Sequence, residues 1–137
     1  MVHALKEAHR VLKPNGILID LRPAPRHRRA GLGLGRSWKL VGVLRESLDD
    51  DHAANASVDA VVRLGLFRPR RRLRFDLDRV MDSPNEFRLW LEDFSRVEKY
   101  PPHEWLLRRL ERAQAQTKGK RPITVRGQMV LGVLEKS

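Results

Sequence analysis

Asp20, Arg22 and Arg26 follow one another at the end of a short apolar run, Ile17-Leu18-Ile19. Open α/β sheets place ligands in the crevice beyond the carboxyl ends of their strands. A guanidinium in that position, Arg22 first, could hold a carboxylate or a phosphate through paired, charge-assisted hydrogen bonds. The competing reading is an arginine neutralised by a neighbouring acid. These three residues are the substrate-side candidates. No catalytic residue, cofactor-binding residue or metal ligand is assigned.

A second set is cationic. Lys and Arg number 28 against 17 acidic residues, a net charge of +11, with a sequence pI near 11.1. Such a surface attracts polyanions. The excess is mostly arginine and gathers at residues 22–36, 68–74 and 118–121, so Arg70, Arg71, Arg72, Lys118, Lys120 and Arg121 are candidates for binding nucleic acid or another polyanion. These patches have no interleaved aromatics on which bases could stack, and solvated basic faces are the preferred reading.

Other constellations are weaker. Gly31-Leu32-Gly33-Leu34-Gly35 matches G-x-G-x-G, but a phosphate-cradling glycine turn needs a strand before it and a helix after it. Residues 26–30 do not look like a buried strand, and Arg36-Ser37-Trp38 lead into a strand, so a flexible hinge or lid is expected. His103-Glu104 opens HEWLL, which lacks the second histidine of a zinc-binding H-E-x-x-H, and reads as a helix cap. Asp49-Asp50-Asp51-His52 offers hard oxygen ligands for a divalent cation, but consecutive aspartates point apart and capping is preferred. No glycine elbow surrounds Ser37, Ser47, Ser57, Ser83 or Ser95, which leaves a hydrolase nucleophile unsupported. Cysteine is absent, which excludes disulfides and thiolate catalysis. Trp38, Trp90 and Trp105 are expected in the core rather than on a stacking platform. The sequon Asn55-Ala56-Ser57 reads as incidental.

The elements that must position these residues can be followed by periodicity. Leu5, Ala8 and Leu12, with Val11 beside them, recur at helical spacing, and Pro14-Asn15-Gly16 ends the helix because proline resists helical continuation and Asn-Gly takes positive φ cheaply. Residues 16–21 follow as a strand expected to be buried on both faces of a parallel sheet. Residues 22–36 read as a loop and 38–44 as a second strand. A helix led by Asp49, Asp50 and Asp51 carries Ala53, Ala54, Val58, Val61 and Val62 inward through about residue 66. Leu73, Phe75 and Leu77 alternate with charged residues, the pattern of a strand with one wet face. Ser83-Pro84-Asn85-Glu86 forms a capping box ahead of Phe87, Trp90, Leu91 and Phe94 on one helical face. Pro101 and Pro102 begin another helix with Leu106, Leu107, Leu110 and Ala113 inward and a Glu104–Arg108 pair outside. Residues 123–134 form a closing β run in which Gly127 marks a candidate bulge or bend. The fold expected is α/β, about four strands in a mixed sheet with three to four helices, in one domain over residues 1–137.

Glu7, Arg10, Val11, Leu12, Lys13, Pro14, Asn15 and Gly16 resemble a late motif of class I S-adenosylmethionine-dependent methyltransferases, in which E-x-x-R-V-L-K-P-G-G leads into the fifth strand of a Rossmann-like sheet. Here Asn15 replaces the first glycine. The resemblance makes the strand Ile17-Leu18-Ile19-Asp20-Leu21 that fifth strand, and makes the strands near Leu73 and Met129 the sixth and seventh, an antiparallel hairpin. The strand at 38–44 and the helix after it become an insertion on the substrate side. The family's cofactor site belongs to its first half, so the resemblance implies a truncated or partial methyltransferase that does not bind S-adenosylmethionine alone. The strand edge at Ile17 to Leu21 then needs a partner, either a second copy or the missing N-terminal half. A basic non-catalytic module binding RNA, and a pseudoenzyme subunit completing a partner, are the alternatives. The chain has no run of about 18 apolar residues and no apolar signal core at its start, and a cytoplasmic protein without a membrane segment is expected.

Overall fold

Helix α1 (Val2–Val11) ends as its sequence requires: Leu12 is extended, Gly16 N–H donates to the Lys13 carbonyl at 2.9 Å, and Asn15 takes a positive φ of 61°. Strand β1 (Ile17–Pro23) follows directly. A computed structural model describes residues 1–98, 103–119 and 121–137. Beyond β1 the order is β2 (Arg29–Leu32), a 3-10 turn (Gly35–Ser37), β3 (Lys39–Val43), α2 (Asp49–Arg63), β4 (Phe67–Met81), α3 (Pro84–Glu98), α4 (Glu104–Gln116) and β5 (Ile123–Lys136). The protein is thus α/β, with four helices and five strands in an open antiparallel sheet among the described residues. The expected mixed, four-stranded sheet is corrected on both counts, because residues 29–32 form an additional strand and β1 pairs antiparallel.

The chain divides into two compact units. The first comprises Met1–Arg26, Leu48–Asp76 and Gln128–Ser137. Its β1 runs antiparallel to β5, with Ile17 opposite Glu135, Asp20 opposite Gly132 and Pro23 opposite Met129. Leu5 of α1, Val58 and Val61 of α2, Phe67 and Leu134 form its core, with Leu12, Leu18 and Val62 packed around them. Ala53, expected on the inward face of α2, is exposed, and so is Val11 beside the inward row of α1. Helix α2 closes on a left-handed glycine: Gly65 has φ 72°, its N–H donates to Val62 O, and Leu66 N–H donates to Val61 O. That paired motif stops the helix at Arg63, ahead of the expected end. At its start Leu48 is the N-cap and makes no side-chain cap bond, so the three aspartates act as first-turn charges facing the positive end of the helix dipole.

Two expectations about strands fail for one reason. β1 was expected to be covered on both faces, but Ile17, Ile19 and Leu21 are 48%, 66% and 57% exposed, while Leu18 joins the core. β4 was expected to have one wet face, but every residue from 68 to 80 is exposed and only Phe67 and Met81 at its ends are buried. Alternating or apolar sequence makes a face available for burial. It does not supply the layer that covers the face.

The second unit comprises His27–Ser47 and Leu77–Gly127. β2 pairs antiparallel with β3 and with residues 123–126 of β5, and the β2–β3 register shifts between Ala30 and Gly31. The expected loop at 22–36 is therefore corrected, since Ala30, Gly31 and Leu32 lie buried in a strand. Ile123 and Val125 face Phe87, Leu91 and Phe94 of α3 and Leu106 and Leu110 of α4 in a second core. Ser83 caps α3, accepting from Glu86 N–H at 3.2 Å, while Glu86 reaches back to Asp82 N–H at 2.8 Å. Trp90 stacks on Phe94 with ring centroids 5.1 Å apart. Trp105 is 45% exposed, against expectation. The expected Glu104–Arg108 pair is present at 3.8 Å between two exposed side chains. Pro101 and Pro102, expected to begin α4, lie outside the described residues. Among the described residues no helix is long and apolar enough to cross a membrane.

Candidate functional site

A buried polar cluster of the first unit lies where β1 passes under α2. Alternation along β1 turns Asp20 and Arg22 to the side that Leu18 also faces, and α2 brings Asn55 onto them. The Asp20 carboxylate pairs with the Arg22 guanidinium. Arg22 Nε donates to Asn55 Oδ1 at 2.9 Å, and Asn55 Nδ2 donates to the carbonyls of Asp51 at 2.8 Å and Pro23 at 3.3 Å. Gly132, opposite Asp20 on β5, leaves room for the pair: a Cβ there would sit 3.6 Å from Asp20 Oδ2 and 3.8 Å from Arg22 Nη1. Arg22 is only 5% exposed. Burial, and after it the positive charge of Arg72, hold its guanidinium pKa below the ordinary arginine value, against the opposing pull of Asp59.

This geometry joins two of the three substrate-side candidates and leaves the third apart. Arg22 meets Asp20, whereas Arg26 lies three residues beyond β1 and is exposed. An anion seeking Arg22 would have to displace Asp20, so the cluster ties strand β1 to helix α2 and Arg26 is the accessible cation. Asn55 was missed because a polar residue inside a helix signals nothing until the helix's position over the strand is known.

The polyanion candidates also separate. Arg70, Arg71 and Arg72 are exposed on β4, and Arg70 pairs with Glu135, holding that carboxyl below the usual carboxylate range. Lys118 is exposed, and the Arg121 carbonyl accepts from Gln114 Nε2 at 2.8 Å. Lys120 lies outside the described residues.

In the second unit, Gly31 to Gly35 do not fit a cofactor loop. Gly31 and Leu32 lie inside strand β2, and a 3-10 turn and β3 follow in place of a helix. Among the described residues no three His, Cys, Asp or Glu side chains gather as a metal site. A groove of about 340 Å³ lies over Leu91 and Leu107 of α3 and α4, rimmed by Arg88, Glu92, Glu104 and Arg108. Its rim charges pair along their own helices, Arg88 with Glu92 at 2.8 Å and Arg108 with Glu104 at 3.8 Å, which marks a helix seam rather than a convergent polar site.

His103 is the N-cap residue of α4 but makes no side-chain cap bond. It is buried, Arg45 N–H donates to its Nε2 at 3.2 Å, and burial lowers its pKa from the ordinary histidine value. Lowering in the folded state means that the unfolded chain takes up the proton first on acidification. Stability is therefore full above the ordinary value of 6.5 and falls as pH drops from there toward the folded pKa. Urea denaturation at neutral and mildly acidic pH should show this loss, and His103→Gln should reduce it. A parallel loss in variant and parent would show that His103 is not the responding group.

No family model matches the chain, and no curated protein or solved structure is recognisably similar to it.

Proposed function

We propose that this chain forms the C-terminal, substrate-side part of a class I S-adenosylmethionine-dependent methyltransferase fold, and that it holds the cofactor only when a complementary segment or subunit docks along β1. The carrying observation is the condition of β1. Ile17, Ile19 and Leu21 present an open apolar row, and among the described residues β1 is paired only on its β5 side. Such an edge and face invite association unless covered. Two further features support the reading. Helix α1 enters β1 through the Pro14-Asn15-Gly16 turn, and β4 pairs with β5, as expected of a sixth and seventh strand. Methyl transfer needs chiefly in-line alignment of an acceptor with a sulfonium methyl, and the exposed Arg26 just beyond β1 is a cation that can orient an anionic acceptor.

Calorimetric titration with S-adenosylmethionine should give no binding heat for the chain alone. Heat should appear after addition of a polypeptide carrying the strand, glycine turn and helix of a methyltransferase first half. Micromolar binding by the chain alone would end the proposal. Light scattering should show self-association that Ile19→Asp weakens, and a stable monomer whose β1 amides exchange slowly would count equally against it.

A further inference from the structure

Strand β4 has a free edge that the methyltransferase reading does not use. Among the described residues it pairs only with β5, and every residue from 68 to 80 is exposed. Pro69 suits such a position, since proline has no N–H to give a ladder and is tolerated on an edge strand. The two faces of β4 differ in chemistry. Phe67 enters the first core beside Leu134, so alternation places Arg71, Leu73 and Phe75 on that side of the sheet and Arg68, Arg70, Arg72 and Arg74 on the other. The Arg70–Glu135 pair agrees, because Glu135 follows Leu134 and points to the opposite face of β5. Among the described residues no carboxylate stands within ion-pair distance of Arg72 or Arg74. Leu73 and Phe75 are 41% and 40% exposed.

We propose that this edge takes up an extended segment of another polypeptide, with acidic and apolar residues in alternation, as an added strand. The unpaired N–H and C=O groups of β4 supply main-chain hydrogen bonds, and side chains opposite one another across the new pair share a face. Acidic residues then meet Arg72 and Arg74 on one face, while apolar residues meet Leu73 and Phe75 on the other. A second copy of this chain does not fit. Edge-to-edge pairing about a two-fold axis sets the arginine rows of the two copies opposite each other, and like charges so placed are destabilising. Nucleic acid would answer the charges but would leave the backbone groups of the edge and the apolar side chains unused. The edge is not that of β1 and no cofactor enters, so the outcome of the S-adenosylmethionine titration does not bear on it.

The test is fluorescence anisotropy, with the full chain, of a labelled peptide of about nine residues in which glutamate alternates with valine and both ends are blocked. It should bind about tenfold more tightly than a peptide of the same composition whose glutamates and valines stand in separate blocks. Two further peptides carry N-methyl groups, one on its glutamate amides and one on its valine amides. Alternate amides of a strand point to opposite edges, so one of the two should lose binding and the other keep it. On the unaltered chain, bound peptide should slow hydrogen exchange at alternate amides of residues 70–75, a readout that needs no variant to fold. Arg72→Glu should weaken binding about tenfold, whereas Arg71→Glu, the same change of net charge on the other face, should weaken it by less than about threefold. The double variant Arg72→Glu, Arg74→Glu should in turn bind a lysine–valine peptide that the parent does not. Equal loss at Arg71 and Arg72, or equal binding of the alternating and blocked peptides, would reduce the effect to net charge and overturn the proposal. So would tolerance of both N-methylated peptides, unchanged exchange along β4, or tighter binding of an oligouridylate than of the alternating peptide.

Discussion

Asp20→Ala should destabilise the first unit by about 3–5 kcal/mol, the usual cost of leaving one member of a buried ion pair without its partner. The side chains of Arg22 and Asp20 are only 6% and 12% exposed, so water can do little to replace the lost carboxylate. Asn55 Oδ1 would still accept from Nε, but a neutral amide oxygen cannot balance the guanidinium charge. Arg72 would add to the imbalance, since its charge already disfavours a second cation there. The double variant Asp20→Leu, Arg22→Met should recover most of the loss, because it removes both charges together and fills the space with apolar atoms. Urea denaturation followed by circular dichroism measures all three chains. A loss below about 1 kcal/mol for Asp20→Ala would place the pair in the class of solvated surface bridges. It would also restore Arg22 as a cation available to a ligand.

Gly31→Ala should cost about 3 kcal/mol, the upper range for forcing atoms into a packed interior. A Cβ at Gly31 would overlap the Lys39 carbonyl oxygen and come within 2.7 Å of the Trp38 indole. Both neighbours are constrained. Lys39 O belongs to the adjoining strand, and Trp38 Nε1 is tied to Thr124 O at 3.2 Å under the guanidinium of Arg126. Gly35→Ala should cost only about 1 kcal/mol, since φ there is 51° but nothing stands within 4 Å of the new Cβ. Thermal denaturation of the two variants separates the explanations. Glycines serving a cofactor turn would tolerate Gly31→Ala in the absence of cofactor, whereas a glycine demanded by close packing of β2 on β3 would not. Equal small effects at both positions would remove the packing account.

Those two experiments bear on different kinds of legibility. The helix stop at Pro14-Asn15-Gly16, the Ser83 cap and the inward row Phe87, Leu91 and Phe94 were readable because each depends on residues within one or two turns of one another. Strand β5 runs unbroken through Gly127, which falls between the part paired with β2 and the part paired with β1. Strand β2 was not readable. Ala30 and Gly31 have poor strand propensity, and one of its partners lies about ninety residues away. Asn55 was equally silent, since its role is set by which strand lies beneath α2.

By itself the sequence determined the helices, the end of α1, the Ser83 cap of α3, the turn ahead of β1, the cationic balance and the absence of thiol chemistry. All of these follow from local backbone preference or from composition. Only the tertiary structure decided that β1 runs antiparallel with one face open, that Arg22 is neutralised by Asp20, and that β4 is exposed along nearly its whole length. Burial, pairing direction and charge compensation are properties of what packs against a residue, and that neighbour is chosen by long-range contacts that no short window of sequence contains.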